Sequence, residues 1–352
     1  MREKARLNRR SFLTLATAGV AGCATRSVGD SSDGGALGTA RPTKPTNEVG
    51  RSVPRPPIAF DENLSVIFSD AHVCGEKARA ARFTPKRLVA FVDEVLAMRP
   101  LPRRVIHLGD LAYLHGHPDD YAVSAPILKR LEAAGIELVF CMGNHDRRSE
   151  FNKLWPGRLD KSPVPGKYVS VTSLGTSDLV ILDGLQGTDE RPLTDMGPGQ
   201  GLLTPDQFDW LKKDFPKRTR PFFVASHFPV EELKTYDKKY GHLGRWLIKN
   251  APMCVGYIYG HLHRWRPEWI HGSWSARKSL RTLCMPSNGL WGDIGYATFK
   301  TSADRAVCSL ELKDFFFPAE PEDPNDRPAP WKVKVAETRG ATCTFLYDRQ
   351  GA

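Results

Sequence analysis

Short apolar runs, each about the length of a buried strand, recur along the middle of the chain. The clearest of them lie at 64–69, 105–108, 136–141, 222–225 and 255–259. Between the first two, Thr84-Pro85 opens a stretch in which apolar residues recur at helical spacing, and Gly135 marks the end of another helix. Strands that alternate with helices predict an α/β fold.

Weaker patterns extend this prediction toward the C-terminus. Further strands are predicted at 168–171, 179–182, 296–301 and 306–312. We expect the last two to complete the second of two sheets. Thr204-Pro205-Asp206-Gln207 predicts a helix that starts with a capping box. The segment 331–347 alternates like a hairpin that turns near Gly340, and predicts either an edge strand or a rim over the site.

The first residues are typical of a targeting segment. Residues 1–22 contain Asn8-Arg9-Arg10-Ser11-Phe12-Leu13 and a short apolar stretch, which resembles a twin-arginine export signal. The stretch ends at Val20-Ala21-Gly22-Cys23, which resembles a bacterial lipobox. A lipid on Cys23 would give membrane contact, and we expect a periplasmic or cell-surface lipoprotein. The alternative is an ordinary cleaved signal with an incidental cysteine.

Composition sets the remaining boundaries. Residues 23–57 are rich in Gly, Ser and Pro without apolar periodicity, which predicts a flexible tether. We expect the globular domain at 58–314, followed at 315–352 by a Pro-rich loop and the predicted C-terminal hairpin. The six cysteines after Cys23 show no Cys-x-x-Cys spacing, so they are expected to be mostly buried free thiols.

Length and charge give only broad limits. With 352 residues, 41% hydrophobic and 26% charged, the chain can bury a sizeable core. The formal net charge is +10, and residues 1–22 account for +4 of it through five basic residues and Glu3, which leaves +6. This surplus favours an anionic substrate or surface. No basic run is interleaved with aromatic residues, so specific nucleic-acid binding is not predicted.

Residue types that bind metals follow five of the predicted strands. They lie in the runs Asp70-Ala71-His72, Gly109-Asp110, Gly143-Asn144-His145-Asp146, Ser226-His227 and Gly260-His261-Leu262-His263. In open α/β sheets, the carboxyl ends of strands gather the ligands. Carboxylate and amide oxygens with neutral imidazole nitrogens suit Zn, Mn or Fe, and two such ions can clamp a phosphoryl group. The runs therefore outline a two-metal hydrolytic site.

This ordered set of motifs resembles the calcineurin-like metallophosphoesterase superfamily over roughly residues 58–314. The resemblance implies a four-layer αββα sandwich of two mixed β-sheets flanked by helices. It also implies a dinuclear centre of divalent or mixed-valence transition-metal ions that hydrolyses a phosphomonoester or phosphodiester outside the cytoplasm.

The resemblance also implies a role for each residue of the motifs. One ion would be held by Asp70, His72 and His263, and the second by Asn144, His227 and His261. Asp110 would bridge the two ions. A bridging hydroxide would attack phosphorus, and His145 would protonate the leaving oxygen as general acid. Asp146 is left out of the ligand set because it more often supports the motif.

Several alternatives stay open at this point. Tyr113, His115, His117 and Cys74 could each contribute to the site. Ser/Thr protein phosphatases carry Asp at the position of Tyr113, so protein dephosphorylation is disfavoured. Purple acid phosphatases share Gly-Asp-x-x-Tyr but have Gly where this chain has His72, and bacterial phosphodiesterase-like members share Asp-x-His.

The alternative function is a lipid-tethered binding protein with the same fold and no turnover, although no ligand of the set is missing.

Overall fold

The computed structural model describes residues 59–75, 79–186, 201–235, 241–271, 279–289, 292–311 and 340–347. These residues belong to one unit that spans Pro56–Ala352. The predicted signal segment, the tether and most of the C-terminal extension lie outside the described residues, so they stay predictions. No helix in the described part of the chain is long and apolar enough to cross a membrane.

Strands and helices alternate as the apolar runs predict. In chain order, strands β1 to β12 span Phe60–Phe68, Leu101–His107, Glu137–Phe140, Ser170–Ser173, Asp178–Ile181, Phe222–Ala225, Cys254–Tyr259, Arg266–His271, Ser279–Cys284, Tyr296–Thr301, Arg305–Glu311 and Thr342–Leu346. Helices α1 to α5 span Thr84–Ala97, Pro118–Ala133, Arg148–Leu154, Pro205–Asp214 and Leu243–Asn250. Two 3₁₀ turns lie at Arg79–Arg82 and Phe215–Lys217.

The strands form two mixed sheets of six strands each within the described residues. The first sheet has the order β12-β11-β10-β1-β2-β3, and β1, β2 and β3 run parallel to one another. The second has the order β4-β5-β6-β7-β9-β8, with a parallel centre and an antiparallel strand at each edge. Parallel strands end at the same sheet edge, which brings the loops that follow them together.

The expected position of two late strands is wrong. β10 and β11 do not complete the second sheet, because β10 pairs antiparallel with β1 in the first sheet, where Leu64 lies opposite Lys300. The first sheet grows from β1 through β2 to β3 and leaves the other edge of β1 free, so the late strands cover that edge. β12 then adds an edge strand beside β11, which is the first of the two alternatives for this segment.

Three apolar layers confirm the predicted αββα sandwich. One lies between the first sheet and α1 to α3, a second between the two sheets, and a third between the second sheet and α4 and α5. In the central layer, the ring of Phe223 packs edge-on against Phe299 at 5.1 Å and Phe345 at 5.2 Å. The six cysteines after Cys23 are buried, as expected, and they form no disulfide bond within the described residues.

The start of α4 differs in one detail from the predicted capping box. Thr204 does cap the helix, because its Oγ1 accepts a hydrogen bond from the backbone N of Gln207 at 3.4 Å. The Gln207 side chain does not return to the cap. It bonds both backbone groups of Asp183, at 2.9 and 3.0 Å, and so fastens α4 to the end of β5.

A buried ion pair joins the helical layer of the first sheet to the second sheet. Arg148, at the start of α3, donates from Nε and Nη2 to the two carboxylate oxygens of Asp183 at 2.7 and 2.8 Å. Asp183 also accepts hydrogen bonds from the backbone N of Tyr168 and of Leu185. Burial alone would raise the pKa of Asp183, but Arg148 outweighs burial and lowers it.

We expect Asp183→Asn to lower the free energy of unfolding by about 3–5 kcal/mol, because the change leaves the buried guanidinium of Arg148 without its counter-charge. Urea denaturation followed by circular dichroism would measure the loss. The matched control is Asp304→Asn, which removes an exposed pair with Arg305 and should leave the unfolding midpoint nearly unchanged. Equal midpoints for both variants would contradict a structural role for the buried pair.

Candidate metal centre

All of the predicted site residues meet at the carboxyl ends of five parallel strands. Asp70 and His72 follow β1, Asp110 follows β2, Asn144 and His145 follow β3, His227 follows β6, and His261 and His263 follow β7. The first sheet therefore supplies all three oxygen ligands, and the second supplies three imidazoles. Each residue of the set lies just past the end of a strand in the described part of the chain.

Asp70, His72 and His263 form one compact group. Nε2 of His263 lies 3.0 Å from Oδ1 of Asp70 and 3.2 Å from Nε2 of His72. One ligand atom from each residue falls within 4.8 Å of the others. The three atoms can therefore face a single ion.

Asp110, His227 and His261 form the second group. Nε2 of His227 lies 3.1 Å from Oδ2 of Asp110 and 3.2 Å from Nδ1 of His261. Asn144 completes this group, because its Oδ1 lies 3.1 Å from Nε2 of His227 and 3.0 Å from Nδ1 of His261. Four ligand atoms from both sheets thus converge on a second point.

The Asp110 carboxylate faces both groups. Its Oδ2 lies 3.1 Å from Nε2 of His227 in one group and 4.0 Å from Nε2 of His72 in the other. Its Oδ1 accepts a hydrogen bond from the backbone N of His145 at 2.8 Å, which fixes the orientation of the carboxylate. Asp110 is the residue placed to be shared between two ions.

The contacts within each group fit cations. In each group two imidazole nitrogens face each other at 3.2 Å, an arrangement that is favourable only if a proton or a metal ion sits between or beside them. The Nδ1 of His227 donates to the carbonyl of Leu108 at 2.8 Å, so its Nε2 lone pair is turned to the site. Nitrogen and oxygen donors without sulfur suit Mn, Fe or Zn.

Protonation at the site follows from burial and from the two carboxylates. Burial lowers the pKa of His72 to about 3 and, together with His227, lowers that of His261 to about 4. Burial also opposes a proton on His227, but Asp110 and Asp70 outweigh it and raise the pKa of His227 to about 9. The pKa values of both carboxylates are lowered by the neighbouring imidazoles despite burial.

Backbone strain is concentrated in the candidate ligands. Among the described residues, positive φ angles outside glycine occur at Asp70 (52°), His72 (44°), Asp110 (56°), Leu114 (32°), His261 (68°) and His263 (53°). Such a conformation costs on the order of 1–3 kcal/mol for each residue, and it persists only where the surroundings impose it. Five of these six residues belong to the predicted ligand set, so the strain marks the site independently of the motifs.

Asp146 supports the loops rather than pointing at the two groups. Its carboxylate accepts backbone N–H bonds from Asp110, Leu111, Ala112 and Gly143 at 2.9 to 3.2 Å. The hydroxyl of Tyr121 donates to it at 3.3 Å. Burial, followed by the nearby Asp110, raises the pKa of Asp146 to about 6. The last residue of the Gly-Asn-His-Asp run therefore ties the loop after β2 to the loop after β3.

A support that the sequence reasoning missed follows β9. The Oγ of Ser287 and the backbone N of Gly289 both donate to the carbonyl of Asp70, at 2.8 and 3.1 Å. The backbone N of Asp293 donates to the carbonyl of His263 at 2.7 Å. A Cβ at Gly289 would overlap the backbone of the Asp70 loop, and the glycine itself is the only signal that could have found this support.

A second missed contact holds His145. Its Nδ1 donates to the carbonyl of Leu114 at 2.6 Å, which turns Nε2 toward Oδ2 of Asp110 at 3.8 Å. Leu114 is the strained residue outside the ligand set. Gly116 lies in the same loop, and a Cβ there would crowd the His145 backbone.

Three of the four residues left open, His115, His117 and Cys74, do not join the ligand groups. The rings of His115 and His117 pack against each other at 5.7 Å in the loop after Asp110. Burial raises the pKa of Tyr113, and the backbone N of Cys74 donates to Oγ1 of Thr84. Within the described part of the chain, none of the three His, Cys, Asp or Glu groups that could hold a metal includes His115, His117 or Cys74.

Comparison with known families agrees with this geometry. A sequence model of the family described as calcineurin-like phosphoesterase matches residues 65–265, which is more than half of the chain. The chain belongs to this family, and its described residues include groups that could hold metal ions. The loop after β9 lies beyond the matched residues.

Two bacterial proteins named probable cyclic nucleotide phosphodiesterases are similar to the chain. The one from Rhodococcus erythropolis is 28% identical over 187 residues, which cover 50% of this chain and 54% of that protein. The one from Rhodopseudomonas palustris is 24% identical over 292 residues, which cover 80% of this chain and 93% of that protein. The chain thus matches about half the length of the first relative and nearly all of the second.

A solved structure shows the same fold. The dimetal phosphatase from Danio rerio superposes with a TM-score of 0.50 at 14% identity, covering 72% of this chain and 96% of that one. At this identity the likeness concerns the arrangement of the sheets and helices alone.

We expect metal affinity to rise with pH between about 6 and 9, because an ion that binds His227 must displace the proton that its raised pKa of about 9 retains. The metal-free state holds more protons than the loaded state, so lower pH weakens binding, by about tenfold per pH unit for one proton. Titrations with chelator-buffered Mn²⁺ would measure the slope. Equal affinities at about pH 6.5 and about pH 8.5 would rule out this competition.

Proposed function

We propose that this member of the calcineurin-like phosphoesterase family hydrolyses phosphodiesters at a dinuclear metal centre. The observation that carries the proposal is the position of Asp110 between two complete ligand groups. A single carboxylate facing both groups allows two cations to lie side by side. In the proposed centre, Asp70, His72 and His263 hold one ion, while Asn144, His227 and His261 hold the other.

In the proposed hydrolysis, the carboxylates and His145 have different roles. Bound ions supply charge that stabilises the phosphoryl oxygens and lowers the pKa of water. Asp110 and Asp70 balance the charge of the ions, and the backbone contacts of Asp146 keep Asp110 in place. His145 presents Nε2 beside Asp110, while its Nδ1–H is held by the Leu114 carbonyl. From that position a proton on Nε2 can pass to the leaving oxygen.

The substrate class is narrowed by the two bacterial relatives. Both are named for cyclic nucleotide phosphodiesterase activity, so we propose a phosphodiester, with cyclic nucleotides as the first substrates to assay. The formal charge of the chain without residues 1–22 is +6, which favours an anionic substrate. Export and a lipid on Cys23 remain part of the proposal that rests on the N-terminal sequence alone.

We expect the purified full chain to bind two metal ions and to hydrolyse a cyclic nucleotide and bis-p-nitrophenyl phosphate, with loss of activity on chelation. In Asp110→Ala both ions should bind more weakly, because one carboxylate serves both groups. Elemental analysis after dialysis would measure the metal occupancy of each variant. The control is Asp119→Ala, which removes an exposed carboxylate from α2. Full occupancy in Asp110→Ala would disprove the bridge, and no hydrolysis of any phosphoester by metal-loaded protein would disprove the function.

His145→Ala should keep both ions but lose activity in a manner that depends on the leaving group. An alkyl leaving group needs a proton, so we expect a loss of about 10²-fold or more there, and a much smaller loss on a nitrophenyl ester. Rates on the two esters and the metal content would be measured together. His115→Ala, in the adjacent exposed loop, serves as control. Equal losses on both esters would assign His145 to binding the phosphoryl group, and loss of metal would make it a ligand.

A further inference from the structure

The imidazoles of the site differ in which ring nitrogen they turn inward. His227 turns Nε2 inward and gives Nδ1 to the Leu108 carbonyl at 2.8 Å. His261 is reversed: its Nδ1 faces Oδ1 of Asn144 at 3.0 Å and Nε2 of His227 at 3.2 Å. Its outer nitrogen, Nε2, therefore needs an acceptor on the opposite side of the ring.

The carboxylate of Glu232 approaches this outer nitrogen. Its Oε2 lies 3.8 Å from Nε2 of His261, about 1 Å beyond a hydrogen bond. The Glu232 side chain is 35% exposed, so it has room to rotate through that distance, whereas His261 is 18% exposed and packed against the ring of Phe228. The imidazole of His261 is therefore held in place by packing, and the Glu232 side chain is the one that can move to close the distance.

The loop that carries Glu232 is anchored to the body of the protein. The backbone N of Glu232 donates to the carbonyl of Pro229 at 3.0 Å, and the Leu233 side chain is fully buried. The Tyr257 hydroxyl donates to the carbonyl of Phe228 at 2.7 Å, which fixes the start of the loop onto β7. Glu232 is thus presented to His261 by packed structure on both sides.

We propose that Glu232 is a positioning residue for the second metal ion: it accepts the Nε2–H of His261 and so directs the Nδ1 lone pair into the site. This inference rests on the proposed dinuclear function and extends it to a residue outside the ligand motifs. A carboxylate behind a ligating imidazole fixes the tautomer and the ring orientation and makes the ligand nitrogen more basic.

An ordinary ion pair does not explain the contact. A histidine that binds a metal ion through Nδ1 must be a neutral imidazole, so a ligating His261 offers Glu232 no positive charge. A neutral imidazole has one N–H, and if Nδ1 shares an ion with Oδ1 of Asn144 and Nε2 of His227, that N–H belongs on Nε2. The carboxylate is the acceptor that such a tautomer requires.

The effect of Glu232 should be confined to one ion. The contact of Glu232 is with His261, which belongs to the group formed with Asp110 and His227 and not to the group of Asp70, His72 and His263. Removing the carboxylate should therefore weaken one of two binding events and leave the other unchanged. A general loss of folding or of surface charge would weaken both.

The experiment is a Mn²⁺ titration of the chelator-stripped full chain, with the two binding constants resolved by competition against a chelator. Relative to wild type, Glu232→Ala should weaken one constant by about 10- to 100-fold, with the other within about threefold. Glu232→Gln, whose amide oxygen still accepts a hydrogen bond but carries no charge, should fall between the two. Glu231→Ala is the matched control, because it removes the same charge from the adjacent exposed position.

Each outcome decides the matter. A selective, graded loss with an unaffected Glu231→Ala supports the proposal. Two unchanged constants in Glu232→Ala, or equal losses in both constants, or the same loss in Glu231→Ala, overturns it. If wild type itself binds fewer than two ions, the proposed dinuclear function fails, whereas a wild type with two ions and an unchanged Glu232→Ala defeats only this inference.

Discussion

The buried carboxylate of Asp146 is the contact on which the geometry of the metal centre depends. Asp110 must hold a left-handed backbone conformation to turn its side chain between the two groups, and that conformation is unfavourable on its own. Backbone N–H bonds from Asp110, Leu111, Ala112 and Gly143 to this one side chain offset the strain. The loop after β9 does the same for Asp70 and His263. Strain and support are therefore paired on both sides of the site.

The centre also depends on the contact between the two sheets. Each ligand group combines residues from both: His263 from the second sheet meets Asp70 and His72 from the first, and Asp110 from the first meets His227 and His261. A small shift of one sheet against the other would separate both groups at once. Burial of Phe223 between Phe299 and Phe345 opposes that shift in the interior. Bound ions would also oppose that shift, since a ligand that binds only the folded state stabilises the folded state.

The sequence predicted those features that local pattern determines. Apolar runs located most of the strands, Thr84-Pro85 and Gly135 located helix ends, and the residue types after the strands located every member of the two groups. Pairing of β10 with β1 was missed because a strand's pattern shows its faces and not its neighbour. The supports at Leu114 and after β9 were missed because they act through backbone carbonyls and N–H groups, which any residue carries. Glu232 was missed because an isolated carboxylate in a loop has no distinguishing pattern.

The distance of its inner nitrogen separates the role of His145 from the roles of the other imidazoles. His145 forms a third compact group with His72 and Asp110, so its position in the fold would allow it to be a ligand. Its Nε2 lies 3.8 Å from Oδ2 of Asp110, however, whereas the inner nitrogen of each of the four ligand imidazoles lies 3.0 to 3.2 Å from another ligand atom. A proton donor must reach the space into which the leaving group departs. With Nδ1 committed to the Leu114 carbonyl, the remaining nitrogen faces both Asp110 and solvent, which is the position that proton transfer requires.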